Sequence, residues 1–444
     1  MRRALMHQLV AWKKGPRRKP LILNGARQVG KTWVLKEFGK RYYKNIAEFN
    51  FDEHPEYKEF FEKTKDGKRI FENLSMASGQ KIVPVDTLVL FDEIQECPEA
   101  LNSLKYFCEK LPEYHIVCAG SLLGVMLAKT SFPVGKVNFI YMYPMSFSEF
   151  LMADGSDNLF DYLKGIDSIK AVPDAFYNPL YEKLKMYYVT GGMPEVVKSW
   201  TSEHDPNEVQ HILREITSAY ERDFAKHTEV HEIAKINLIW NSLPSQLAKE
   251  NKKFLYNVVK EGARAREYEN SLQWLVDAGL TYKIFRSSKP GLPVSAYDDL
   301  SAFKIYLMDV GLLRRLSGLM PSAFGENNRL FTEFKGALTE NYVLQALVPQ
   351  LEEMPRYWAR YNPNYEVDYM IQVDNDIFPI EVKAEDNVKS NSLKKYKESF
   401  EKETVLRVRF SMGNLTLDDD LLNIPLFLAD EAVRLIMLAT GYKV

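Results

Sequence analysis

A chain of 444 residues is longer than one hydrophobic core usually organises and points to roughly three domains. Hydrophobic residues make up 46%, aromatics 13% and charged residues 27%, a globular balance that excludes long disordered stretches. The formal net charge of −2 excludes a surface coated in basic residues, so any nucleic-acid contact has to come from a local patch.

The first such patch in the chain, Lys13, Lys14, Arg17, Arg18 and Lys19, reads as a solvated face. From residue 20 to about 144, short apolar runs at 21–23, 46–51, 87–91, 115–119 and 137–143 alternate with helical patterns such as 33–43 and 100–110. That alternation is the mark of a parallel sheet built from β-α units. From 147 to about 247 the β signal fades, and helices separated by Asp, Gly and Pro-bearing turns predict a helical lid. Between 254 and 306 a helix, a turn, a second helix at 268–278 and strands at 281–286 and 304–307 follow the order of a winged helix. Near 330 a last domain begins, with helix 333–351, strands 357–360, 367–373 and 377–382, helix 393–400 and strand 404–410, the turn Asp374-Asn375-Asp376 joining the middle hairpin.

No run approaches the roughly 18 apolar residues of a membrane span, and Arg2 and Arg3 are not followed by the apolar core of a signal peptide. A cytoplasmic protein with no membrane partner is expected. Cys97, Cys108 and Cys118 form no CxxC pair and read as small hydrophobes rather than disulfide or zinc ligands.

Gly25-Ala26-Arg27-Gln28-Val29-Gly30-Lys31-Thr32 fits G-x-x-x-x-G-K-[ST], follows an apolar run and opens a helical stretch, which is the context a phosphate-binding loop needs. The glycines let backbone N–H groups, including those of Gln28 and Val29, wrap the phosphates of ATP, and Lys31 reaches the β and γ phosphates while Thr32 ligates Mg²⁺. The strand Thr87-Leu88-Val89-Leu90-Phe91 ends in Asp92-Glu93, so both carboxylates fall at the carboxyl edge of the sheet. Asp92 is expected to hold Mg²⁺ through water, and Glu93 to polarise the attacking water as general base. Ser121, ending the run from His115, has two readings: a hydrogen bond to the γ-phosphate or water, or a cap on the next helix. Arg222 either stabilises transition-state charge, from the lid or from a neighbouring copy in a homo-oligomer, or makes an ordinary ion pair. His227 and His231 have the spacing of a metal pair but lack a nearby acidic third ligand and read as incidental.

In the last domain, Glu381 and Lys383 share one face of a strand by period-2 alternation, and pairing with the preceding strand brings Asp368 alongside. With Glu340 from the helix before them, these oxygens would suit a second divalent ion, Mg²⁺ or Mn²⁺. Lys383 would orient or activate water for phosphodiester hydrolysis. The competing reading is a solvated carboxylate and lysine pair. Lys260, Arg264, Arg266 and Lys283, with Tyr268 and Trp274 nearby, are compatible with phosphate contacts, and equally with a protein-binding or structural role.

Taken together, the P-loop block, Leu90-Phe91-Asp92-Glu93-Ile94-Gln95, Gly120-Ser121, Tyr143-Pro144-Met145-Ser146-Phe147-Ser148-Glu149-Phe150-Leu151, Gly191-Gly192-Met193-Pro194 and Glu221-Arg222-Asp223 resemble a family of bacterial and archaeal AAA-type ATPases. The second half of those proteins is a domain of unknown function. The resemblance implies a nucleotide-binding α/β domain, a helical lid, a winged-helix-like segment and a C-terminal domain similar to the PD-(D/E)xK nucleases. The expected fold class is therefore α/β, with a P-loop AAA-type domain at 1–150, the lid at 151–247, the winged-helix-like segment at 248–318 and the nuclease-like domain at 325–444. The expected activity is ATP hydrolysis coupled to a DNA-interacting domain, the alternative being a regulatory ATPase that acts on protein partners with an idle nuclease-like fold.

Overall fold

The structure is a computed structural model and describes residues 2–121, 135–228, 230–249, 252–321, 329–361, 364–384 and 390–442. It resolves into two compact units, Arg2–Tyr143 with Trp274–Leu280, and Pro144–Gln273 with Thr281–Val444.

The first unit is built on five strands, β1 (Leu21–Asn24), β2 (Asn45–Asn50), β3 (Thr87–Asp92), β4 (His115–Ala119) and β5 (Asn138–Tyr141). They lie in the order β2-β3-β4-β1-β5, and every neighbouring pair is parallel. Parallel strands covered on both faces read as unbroken apolar runs, and β3 and β4 are buried along their whole length. Phe91 of β3 lies 5.6–6.1 Å from the rings of Phe49, Phe51 and Phe61. Each such ring contributes on the order of 2–3 kcal/mol of burial. The order of the strands also fixes where a ligand can sit. The chain leaves β1 toward β2 but leaves β4 toward β5 on the far side of β1, so the crevice at the carboxyl ends of β1 and β4 is a topological switch point.

The second unit begins with six helices, Phe147–Ala153, Asp157–Lys164, Asp174–Thr190, Pro194–Glu203, Pro206–His227 and Val230–Leu247. Ser146 and Glu149 form a reciprocal capping box at the first, satisfying two N–H groups that a helix start leaves open. An eight-stranded sheet follows: β6 (Thr281–Ser287), β7 (Asp298–Leu307), β8 (Arg356–Tyr361), β9 (Asn364–Val373), β10 (Asp376–Val382), β11 (Arg407–Ser411), β12 (Thr416–Asp418) and β13 (Leu421–Pro425). Its order is β12-β13-β11-β10-β9-β8-β6-β7. The hairpin β6-β7, whose strands follow the order of a winged helix in the sequence, is thus the edge of the C-terminal sheet. Arg286 of β6 pairs in parallel register with Tyr357 of β8, and the Arg356 guanidinium grips the Asp298 carboxylate with Nε at 3.0 Å and Nη2 at 2.9 Å.

A buried hub joins the helices to this sheet. Asp309 accepts from Gly192 N at 2.6 Å and from Leu312 N at 2.9 Å, and Gln345 donates to it at 3.3 Å. Gln345 also donates to the Tyr187 hydroxyl at 2.8 Å, and that hydroxyl donates to Met145 O. Gly191 has φ +67°, and a Cβ there would fall 2.2 Å from Asp309 Oδ1, while one on Gly192 would fall 2.0 Å from Met145 O. The Gly191-Gly192 pair is therefore required by close approach as well as by conformation.

Candidate nucleotide site and the C-terminal carboxylates

Between β1 and the helix Lys31–Tyr42, three residues of the loop take positive φ: Gly25 at 148°, Gln28 at 66° and Gly30 at 94°. Such alternations turn successive N–H groups toward one side and make an anion cradle. A side chain on Gly25 would place Cβ 2.2 Å from Met142 O, so the loop has to run as bare backbone. Gly30 stands at the N-cap of the helix in left-handed conformation and has no side chain to occupy the first-turn N–H groups, which remain available to phosphate oxygens. Arg3, which the motif reading passed over, holds the loop from behind by donating to Val29 O at 3.0 Å and Tyr143 O at 2.7 Å.

Lys31 is 8% exposed and donates to Gly25 O and Ala26 O, both at 2.8 Å. An ammonium has three protons, so one is left for a phosphate oxygen. Burial draws its pKa down to about 8, against the pull of Glu93 and Asp92 in the other direction. Asp92 moves oppositely: burial, and then the charge of Glu93, push it up to about 6, while the Thr32 hydrogen bond draws it down. Thr32 Oγ1 donates to Asp92 Oδ1 at 3.0 Å. A hydroxyl and a carboxylate in contact beside a phosphate cradle are the donor set Mg²⁺ takes, since that ion binds through one or two carboxylates and completes its shell with phosphates and water. The residues fit the ion.

Glu93 adopts φ 48°, ψ 46°, a left-handed conformation that costs a non-glycine residue on the order of 1–3 kcal/mol and concentrates at functional sites. The turn it makes brings Gln95 back over it. Gln95 Nε2 donates to Glu93 Oε2 at 2.5 Å and to Ser121 Oγ at 3.4 Å, and Ser121 donates to the same carboxylate oxygen from Oγ at 3.3 Å and from N at 3.5 Å. Thus Gly25, Gln28, Val29, Gly30, Lys31 and Thr32 form one loop and helix start, with Asp92, Glu93, Gln95 and Ser121 forming the opposite wall. The reading of Ser121 as a cap falls on residue 122 onward, outside the described residues. Gln95 carried no role in the sequence reading. Its place three residues past the end of β3 was the available signal. Arg222 is exposed on the helix Pro206–His227, and the side chain of His227 lies outside the described residues, so the histidine pair is not placed.

The C-terminal candidates are arranged differently. Glu340 is ion-paired to Lys252 and accepts from the Tyr306 hydroxyl at 3.3 Å. Asp368 accepts from Val382 N at 2.7 Å, and burial, followed by the charge of Glu340, raises its pKa, with Lys304 and Lys252 opposing. Lys304 is itself paired with Glu366. Glu381 and Lys383 do share a face, with Nζ 2.7 Å from Oε1, and Glu381 Oε2 is buried with no hydrogen-bond partner among the described residues. Among the described residues no three His, Cys, Asp or Glu side chains gather where a metal could be held. Glu340 and Glu381 each meet a lysine, Lys252 and Lys383, and Asp368 accepts from a backbone N–H.

Other expectations meet mixed outcomes. Lys260, Arg264 and Arg266 are exposed, but Tyr268 and Trp274 are buried and cannot stack on bases. Lys283 lies 4.4 Å over the Phe303 ring, its pKa lowered by burial. In the first basic patch, Lys13 sits 3.9 Å over the Tyr43 ring, and Arg18 donates to Pro112 O at 2.6 Å. Cys97 and Cys118 are buried, Cys108 half-buried, and all three are unpaired. No helix among the described residues is long and apolar enough to cross a membrane.

A parallel sheet whose first strand feeds a glycine-flanked loop, with Lys31, Thr32 and the Asp92-Glu93 strand end gathered at its switch point, defines a P-loop ATPase domain of the AAA type. Residues 17–151 match a family described as an AAA domain. Residues 181–323 and 335–427 match two families each described as a domain of unknown function, DUF8612 and DUF4143. Comparison with the curated proteins gives no match. Among solved structures, a Walker-type ATPase of Pyrococcus abyssi is similar at 13% identity and TM-score 0.44, over 71% of this chain and 95% of that one. The Aeropyrum pernix ORC1 protein in complex with DNA is similar at 12% and 0.29, over 71% and 90%. The Thermotoga maritima RuvB Holliday junction branch migration motor is similar at 11% and 0.29, over 64% and 87%. At these identities and scores the likenesses say nothing of substrate or partner.

Proposed function

We propose that this ATPase holds Mg²⁺·ATP with its triphosphate in the loop 25–32 and hydrolyses it with Glu93 as general base. The observation that carries the reading is the contact of Thr32 Oγ1 with Asp92 Oδ1 at 3.0 Å, beside Lys31 and an uncapped helix start. The backbone of Gly25, Gln28, Val29 and Gly30 cradles the phosphates, and Lys31 neutralises the β and γ oxygens. Thr32 and Asp92 hold Mg²⁺, which supplies charge neutralisation of the triphosphate when bound. Glu93 takes a proton from water as its oxygen forms the bond to the γ-phosphorus and the bond to ADP breaks. Ser121 orients Glu93 and reaches the γ-phosphate. Phosphate release measured with and without Mg²⁺ tests this: the unmodified chain turns over only with the ion, and Glu93→Gln binds ATP without turnover. Turnover that survives in Glu93→Gln contradicts it.

In this reading, ATP turnover changes how the chain engages a partner, and the C-terminal sheet serves as a binding module rather than as a hydrolase. The internal pairing of Glu340 with Lys252 and of Glu381 with Lys383 supports the idle form of the nuclease-like domain. Plasmid incubated with Mg²⁺ or Mn²⁺ is expected to stay intact with both the unmodified chain and Lys383→Ala. Metal-dependent cleavage lost in Lys383→Ala would restore the nuclease reading. The partner has two candidates, protein and DNA. DNA is favoured by the exposed run Lys260, Arg264 and Arg266, and predicts binding that weakens steeply as salt rises. A cytoplasmic place of action follows from the need for ATP and the three unpaired cysteines.

A further inference from the structure

We infer that Gln95 is a catalytic residue of the ATPase site: its carboxamide nitrogen holds Glu93 while its oxygen, Oε1, receives a hydrogen bond from the attacking water. The inference rests on the ATPase reading above and adds to it a second group on the water. Gln95 lies on the short turn Ile94–Glu96 directly after Glu93 and is 8% exposed, yet its Oε1 is buried with no hydrogen-bond partner among the described residues. A buried unpartnered acceptor is costly and calls for an explanation. The assignment of the two amide atoms follows from chemistry: Nε2 stands 2.5 Å from Glu93 Oε2, where an oxygen would face a carboxylate oxygen with no proton between them.

The position of Oε1 follows. Nitrogen and oxygen of one amide are roughly 2.2 Å apart, from bond lengths of about 1.23 and 1.33 Å, so Oε1 lies at most about 4.7 Å from Glu93 Oε2, given the 2.5 Å hydrogen bond. The two O–H bonds of a water open to about 105°, so acceptors at about 2.8 Å from its oxygen lie roughly 4.4 Å apart, a separation within the limit set for Glu93 Oε2 and Gln95 Oε1. Both protons are then directed into the protein, and the lone pairs of the oxygen point away from both acceptors. In the attack that oxygen bonds to the γ-phosphorus, the bond to the ADP oxygen breaks, one proton passes to Glu93 and later to solvent, and the other stays on the phosphate product. Gln95 takes no proton. It orients, and the two donors on Glu93 Oε2, Gln95 and Ser121, keep that carboxylate in place.

The test uses the full chain and measures kcat for Mg²⁺·ATP hydrolysis together with Kd for Mg²⁺·ATP. Gln95→Ala and the near-isosteric Gln95→Met, each checked for an unchanged thermal midpoint, are expected to lose about 10 to 100-fold in kcat with Kd within about twofold. Should Gln95→Ala fail to fold, Gln95→Met, which fills the same space without either hydrogen bond, gives the answer. Unchanged kcat in a folded variant overturns the inference, as does a Kd that rises in step with the fall in kcat, which is the signature of a structural role. Absence of turnover in the unmodified chain overturns the parent reading and this one together, whereas loss of turnover in Lys31→Ala with none in the Gln95 variants overturns this one alone.

Discussion

Lysines meet carboxylates at both ends of the chain, and they meet them differently. In the loop unit, Lys31 spends two protons on the carbonyls of Gly25 and Ala26, and Asp92 and Glu93 accept from the Thr32 hydroxyl, the Gln95 amide and Ser121. The charges are near one another and unmatched, and their pKa values move in opposite directions, Lys31 to about 8 and Asp92 to about 6. In the sheet unit, Lys252 is matched to Glu340, Lys304 to Glu366 and Lys383 to Glu381. A site built to bind a charged ligand keeps its charges uncommitted, while one that settles them among its own side chains has little left for a cation. Motif spacing alone does not distinguish the two, because the matching lysines come from elsewhere in the chain.

Variants break the comparison apart in a graded way. The largest effect belongs to Glu93→Gln: turnover measured by phosphate release should fall about 100-fold or more with ATP binding kept. Next is Lys252→Met, which leaves Glu340 charged and nearly buried. Urea unfolding should show a loss of about 3–5 kcal/mol, the usual result of breaking a buried pair from one side, while ATP affinity of the folded protein stays as it was. Lys31→Met inverts that pattern, with affinity lost and stability changed by about 1 kcal/mol or less, since residues kept for function seldom optimise folding. A change of stability in Lys31→Met as large as in Lys252→Met would erase the distinction.

A smaller, pH-dependent effect tests the burial argument without touching either site. His115 begins β4, its Nδ1 2.7 Å from the Tyr43 hydroxyl, and burial, then the charges of Arg18 and Lys13, lower its pKa to about 4. The folded chain keeps it neutral where the unfolded chain takes a proton, so its contribution is complete above about pH 6.5 and is lost as pH falls toward 4. Denaturant midpoints compared between pH 7 and 4.5 should converge for the unmodified chain and His115→Phe at the lower pH. The smallest effect is expected for Arg264→Ala with Arg266→Ala, both exposed: stability within about 0.5 kcal/mol, with any DNA binding reduced at low salt.

Much of the first unit was legible because its signals are local. Apolar runs marked β1 to β5, and the loop 25–32 carries its own geometry in its glycines. Asp92 and Glu93 were placed by the strand that ends in them. Gln95 escaped because its position depends on the left-handed turn at Glu93, which no residue type announces. Arg3 escaped because it acts across 26 positions on Val29 O. In the second unit the hairpins were readable, and Glu381 and Lys383 do share a face. The joining of β6 to β8 was not, since it rests on a single register pair and on Arg356 reaching Asp298. Strands β12 and β13 are short, three and five residues, and gave no period to detect. Lys252 meets Glu340 from 88 residues away, a pairing that spacing within the last domain does not announce.

Titration calorimetry of the purified chain with ATP and Mg²⁺, repeated with EDTA and with Lys31→Ala, bears most directly on the loop as a triphosphate cradle. Saturable uptake at one site per chain, dependent on Mg²⁺ and lost in the variant, is the predicted outcome. An isotherm identical for both proteins, or no heat at all from the unmodified chain, would contradict it.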